Sequence, residues 1–165
     1  MNSKKSLNMP ADAALPSVLA IDSVESDRQI LENIVRGSCR VAHASSAGAA
    51  LQSLRKSRYA VVLCDTDLPR GSWQQVLQET SPSFGGPLLI VTSRLADETL
   101  WAEALNLGAW DVLAKPFDAQ EVTRVLSFAL HQWHLRNSAT ARPARPATEA
   151  VSIETAGLSA SAACA

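Results

Sequence analysis

In AVVLCDTDLP, residues 60–69, an apolar run stops at Asp65, and a second carboxylate, Asp67, follows after one threonine. A carboxylate so placed can hold a metal, accept a phosphoryl group as a nucleophile, or start a turn. Three other apolar runs end as abruptly: VLAI (18–21) before Asp22, LLIV (88–91) before Thr92, and VLA (112–114) before Lys115. Two carboxylates, a hydroxyl and an ammonium could converge into a site for a divalent cation and a phosphoryl group. A nucleophilic carboxylate at Asp65 needs the cation to offset repulsion from the phosphoryl oxygens, and Asp22 could help to hold it. Lys115 suits a point charge on one phosphoryl oxygen, and Thr92 a hydrogen bond to another.

These residues meet only if the runs before them lie side by side with one polarity. None of the four runs alternates with polar residues, as befits strands covered on both faces. A weaker run, CRVAH (39–43), is a candidate fifth strand, with Val41 its expected buried residue. Between the runs the apolar period turns helical. Ile30, Leu31, Ile34 and Val35 mark a helix from about Ser26 to Arg36, with Gly37 as its C-cap; Ala47, Ala50, Leu51 and Leu54 mark a second. A shorter helix is expected from Ser72 towards Glu79, before SPSFGGP breaks it. Another carries Leu100, Ala104 and Leu105 and ends at Gly108, and a last one follows Asp118 with Val122, Val125, Leu126, Ala129 and Leu130. Strands alternating with helices predict an α/β fold, a parallel sheet with helices on both faces. In such a sheet ligands bind beyond the carboxyl ends of the strands, where Asp22, Asp65, Thr92 and Lys115 stand.

The 165 residues suit one domain with some flexible sequence: a lead over 1–17, a folded unit over 18–136, and a low-complexity tail over 137–165 rich in Ala, Ser, Thr and Pro. A formal charge of −1 and 47% apolar residues disfavour both a basic nucleic-acid binder and a disordered acidic chain. No segment approaches the roughly 18 apolar residues of a membrane span, and no signal-peptide core follows the two early lysines, so a cytoplasmic location is expected. Cys39, Cys64 and Cys164 lack metal-ligand spacing and read as reduced thiols. His131 and His134 read as solvated, and Trp101, Trp110 and Trp133 as packing or surface-patch residues.

VLAIDS, VVLCDTDLP, LLIVTS and GAWDVLAKPF, in this order and approximate spacing, resemble the receiver domain of two-component response regulators. The resemblance covers about residues 18–136. It implies a flavodoxin-like, doubly wound five-stranded sheet of order 2-1-3-4-5. It implies Asp65 as phospho-acceptor, Thr92 as switch hydroxyl, and Lys115 as the phosphate-pairing lysine before a cis Pro116. Mg²⁺ would be held by Asp22, Asp65 and the backbone carbonyl of Asp67, and no organic cofactor is implied.

The resemblance is incomplete at four places. Ser23 stands where the family usually has its direct magnesium ligand, which should weaken Mg²⁺ binding. Asp67 occupies the variable position that tunes phosphoryl hydrolysis. Val112 replaces the usual switch aromatic, and Trp73 a common glycine. The expected function is therefore that of an atypical receiver. It is not an enzyme in its own right: a histidine kinase or phosphotransfer protein phosphorylates Asp65, and an output protein is contacted in turn. The tail has no helix-turn-helix pattern, so direct nucleic-acid binding is not expected, nor is membrane insertion; a homodimer is left open. Ser23 and Val112 motivate an alternative, a pseudo-receiver that binds partners without phosphorylation. A third reading takes DTD as resembling the first motif of haloacid-dehalogenase-type phosphatases, with Asp65 as nucleophile and Asp67 as general acid/base.

Overall fold

The computed structural model describes residues 15–80 and 85–140, with side chains as far as residue 138. The start of the expected lead, the loop at 81–84, and the expected tail from residue 141, with Cys164, lie outside the described residues. Five strands and five helices alternate: β1 (Ser17–Ile21), α1 (Glu25–Val35), β2 (Arg40–Ala44), α2 (Ala47–Lys56), β3 (Val61–Asp65), α3 (Trp73–Thr80), β4 (Leu88–Ser93), α4 (Glu98–Leu107), β5 (Asp111–Ala114) and α5 (Ala119–Thr140). The strands form one parallel sheet in the order β2-β1-β3-β4-β5, the fold expected from the sequence.

The unbroken apolar runs are explained by two cores. Period-two alternation sends Leu19, Ile21, Val62, Cys64 and Val91 to one face, where they pack with Ala47, Ala50, Trp73 and Ala104 from α2, α3 and α4. It sends Val18, Ala20, Val61, Leu63 and Ile90 to the other, against Leu31, Val35, Val122 and Ala129 from α1 and α5. Each fully buried Val, Leu or Ile contributes about 1.5–3 kcal/mol relative to exposure. Register then sets where the polar residues land. Ile21 lies beside Cys64, and Asp65 beside Thr92. Ser93 pairs with Ala114, so Asp22, Asp65, Thr92 and Lys115 leave the sheet at one edge.

Side-chain caps fix the starts of α2, α3, α4 and α5. Ser46 Oγ accepts from Ala49 N–H, Ser72 Oγ from Gln75 N–H, Asp97 Oδ1 from Leu100 N–H, and Asp118 Oδ1 from Glu121 N–H. Gly108 ends α4 in the left-handed region, and Gly37 follows α1 in the same conformation. Gly71 has a tighter reason. At φ +84°, a Cβ there would lie 2.5 Å from Ala47 Cβ, so glycine lets the β3–α3 loop sit against the start of α2.

The structure differs from the sequence reading in four details. Val41 is only half-buried, and the buried residue of β2 is Ala44. This strand is at the sheet edge, where its flank is open. Ile30 is 41% exposed, because the buried stripe of α1 is Asp27, Leu31 and Val35, with Ile34 partly covered. On α4 only Ala104 is buried, and Leu105 faces out. Finally, α5 continues past Arg136 to Thr140.

Candidate functional site

Asp22 closes β1, and its Oδ1 accepts the N–H of Val24, which bends the chain towards α1. Asp65 closes β3 in the same manner, with its Oδ1 accepting the N–H of Asp67 at 3.2 Å. Each aspartate therefore spends one oxygen on its own loop. The other oxygen turns to Lys115: Nζ donates to Asp22 Oδ2 and to Asp65 Oδ2, each at 2.5 Å. All three are buried, and the Lys115 side chain is only 1% exposed. Burial alone would lower the lysine pKa. The hydrogen bonds to Asp22 and Asp65, the charge of Asp65 and the bond to Asp27 outweigh it, and the net shift is upward. Lys115 is followed by a cis peptide bond to Pro116 and sits 5.6 Å from the centroid of the Phe117 ring.

Of the residues singled out in the sequence, Asp22, Asp65 and Lys115 are in direct contact, and Thr92 is buried beside Asp65 in the strand register. The Asp67 side chain is exposed and does not join the carboxylate cluster. Val112 is buried in the core, so no switch aromatic is present at that position. Ser23 is exposed.

The sequence reading missed a third carboxylate. Asp27, in the first turn of α1, is buried and accepts from Lys115 Nζ at 3.1 Å and from Arg94 at 2.8 Å. Ligand oxygens of Asp22, Asp27 and Asp65 lie within 4.8 Å of one another. The signal was present: Asp27 falls four residues before Leu31 and eight before Val35, so an acid stands on the apolar stripe, an anomaly that only a buried partner explains. Also missed was the link between loops from Thr66 Oγ1 to Ser93 Oγ, at 2.9 Å; the same Ser93 Oγ accepts the N–H of Leu95.

Carboxylate oxygens are hard donors, and one or two of them with waters and phosphate oxygens make the usual Mg²⁺ environment, so the donor set fits that ion. The neighbouring thiol does not compete as a ligand. Burial first, then the charges of Asp65 and Asp22, push Cys64 up to about 12, so it stays protonated. In a variant with Cys39 and Cys164 replaced by serine, Cys64 should react with a disulfide reagent at pH 8 only after denaturation; prompt native-state labelling would contradict its burial.

Among the solved structures it resembles are the signal receiver domain of an HD domain-containing protein from Pseudomonas fluorescens Pf-5 (27% identity, TM-score 0.70, 80% of this chain and 98% of that one) and the chemotaxis response regulator CheY4 of Vibrio cholerae (21%, TM-score 0.64, 71% and 100%). The latter likeness speaks for the fold alone. The transcriptional regulatory protein ZraR of Klebsiella oxytoca is 35% identical over 125 residues, 73% of this chain and 28% of the relative. The chain thus spans less than a third of that relative's length. Residues 18–127 match the model of the response regulator receiver domain. With the sheet order and the acidic edge closed by a lysine, that match places the chain in the response regulator receiver family, the signalling modules of two-component systems.

Proposed function

We propose that Asp65 accepts a phosphoryl group from a histidine kinase or phosphotransfer protein, with Mg²⁺ as the required ion, and that the change is passed on by protein contact. The observation that carries this reading is Lys115 Nζ bridging Asp22 and Asp65 at the carboxyl edge of the sheet. In the transfer, a carboxylate oxygen of Asp65 bonds to phosphorus as the donor's phosphorus–nitrogen bond breaks. The electron pair leaves on the imidazole nitrogen, which takes up a proton. When bound, the cation supplies charge neutralisation between carboxylate and phosphoryl oxygens. Asp22, Asp65 and the carbonyl of Asp67 would hold it. Lys115 is within reach of Asp65 to pair with a phosphoryl oxygen, and Thr92 is beside it to donate a hydrogen bond.

The phosphatase alternative needs Asp67 as acid/base, yet its side chain is exposed and outside the carboxylate cluster. No helix among the described residues is long and apolar enough to cross a membrane, and a cytoplasmic module facing a kinase fits that. The test is intact-mass analysis after incubation with acetyl phosphate and Mg²⁺. The wild type should gain one phosphoryl adduct, and Asp65→Ala none. An unlabelled wild type, alongside a receiver that labels under the same conditions, would sink the phosphorylation reading in favour of a pseudo-receiver that binds without it.

A further inference from the structure

Ser23 leaves the cation site one carboxylate short of the family's usual set, and the fold supplies another from a different element. We propose that Asp27, on the first turn of α1, is the third carboxylate ligand of the divalent cation, and that Arg94 holds its place until the cation binds. The inference rests on the magnesium-dependent reading above and adds two residues to it.

Asp27 has no evident local duty. Three residues after the N-cap Val24, it stands where an acid can reach back to the N-cap N–H in a capping box. That N–H is already taken by Asp22 Oδ1 at 2.7 Å, and the helix has no side-chain cap. Asp27 instead turns inward, and both Lys115 and Arg94 meet its Oδ2. Burying a carboxylate is costly unless cations or hydrogen bonds compensate it, so its place on the apolar stripe asks for a purpose. The bond to Lys115 repeats what Asp22 and Asp65 already give that ammonium, and service to Arg94 is a poor purpose, since its guanidinium is 51% exposed and can be solvated by water.

Charge gives the direction. Among the described residues, the three carboxylates are ion-paired to two cationic side chains, Lys115 and Arg94, so this paired cluster carries surplus negative charge. A dication reverses the sign of that surplus unless one cation leaves. Lys115 is enclosed and held by three carboxylates, whereas Arg94 extends from the β4–α4 loop through solvent. Arg94 is therefore the group that gives way. Its neighbour Leu95, 81% exposed, would move with it and carry the state of the site to the loop before α4.

The measurement is the Mg²⁺ dissociation constant of the metal-free protein by isothermal titration calorimetry, with circular dichroism confirming that each variant is folded. Asp27→Asn should weaken binding by at least the ~10-fold that even outer-shell substitutions cause. Ser23→Asp placed on that background should recover it. Arg94→Ala should tighten binding in the wild-type background and leave Asp27→Asn unchanged. Wild type that binds Mg²⁺ while Asp27→Asn binds within twofold of it would overturn the inference and leave the parent reading intact. Wild type with no Mg²⁺ binding would overturn both. If Asp27→Asn does not fold, Arg94→Ala decides alone, and unchanged or weaker binding rejects the exchange.

Discussion

Lys115→Met should lower the unfolding free energy in magnesium-free buffer by about 3–5 kcal/mol, as removal of one partner from a buried ionic cluster does. The lysine is the only enclosed cation among the described residues of the site, bonded to Asp22, Asp65 and Asp27. Methionine fills much of the same volume, so the loss reports charge rather than a cavity. The variant leaves three carboxylates facing the half-exposed Arg94. Magnesium should therefore stabilise Lys115→Met more than wild type; binding alone yields about 2.7 kcal/mol at a hundredfold excess over the dissociation constant. Adding Asp65→Asn, which removes one of the repelling charges, should also restore part of the loss. The pH dependence has a definite sign. Because the folded-state pKa is raised, the lysine's contribution is complete below its ordinary value of about 10.4 and is lost as pH rises through the higher folded value. Across pH 7–9 this group should leave stability flat. Urea unfolding with and without Mg²⁺ checks all of this; a change within about 0.5 kcal/mol, the range of an ordinary surface substitution, would mean that the ammonium does not hold the site together.

How far the sequence foretold the site depends on how each residue reaches it. Asp22, Asp65, Thr92 and Lys115 were visible because each ends an apolar run, and a parallel sheet brings such ends to one edge whatever the details of packing. Asp27 and Arg94 arrive from a helix turn and a loop, and their meeting depends on how α1 lies against the sheet, which periodicity does not specify. Asp27 still left a trace, an acid in register with Leu31 and Val35. Arg94 left none, since an exposed arginine in a loop is ordinary. The same division holds for the fold. The central strands β1, β3 and β4 are covered on both faces and read as unbroken apolar runs, whereas the edge strand β2 mixes Arg40 and His43 with Val41 and Ala44. Its His43 meets Glu32 of α1 at 2.6 Å, a pairing that no short-range pattern encodes.

Trp73→Gly, which installs the residue common in the family at that position, should destabilise this protein by about 3–5 kcal/mol, the range for deleting a buried Trp or Phe. Trp73 is 3% exposed and belongs to the core cluster formed with α2, α3 and α4. The space left by its indole would open beneath the loop between β3 and α3. That loop has little freedom to collapse into the space, because Gly71 already sits against Ala47 and Ser72 caps α3. Trp73→Phe, which keeps most of the apolar contact, should lose much less. The loop also carries Asp67, whose N–H fixes Asp65 Oδ1. Loosening it should therefore slow acetyl-phosphate labelling even at a temperature where Trp73→Gly remains folded, with Trp73→Phe close to wild type. Equal stability of the glycine variant and wild type in urea would refute the packing role, and an unchanged labelling rate in a destabilised but folded variant would show that the loop positions Asp65 without help from the core beneath it.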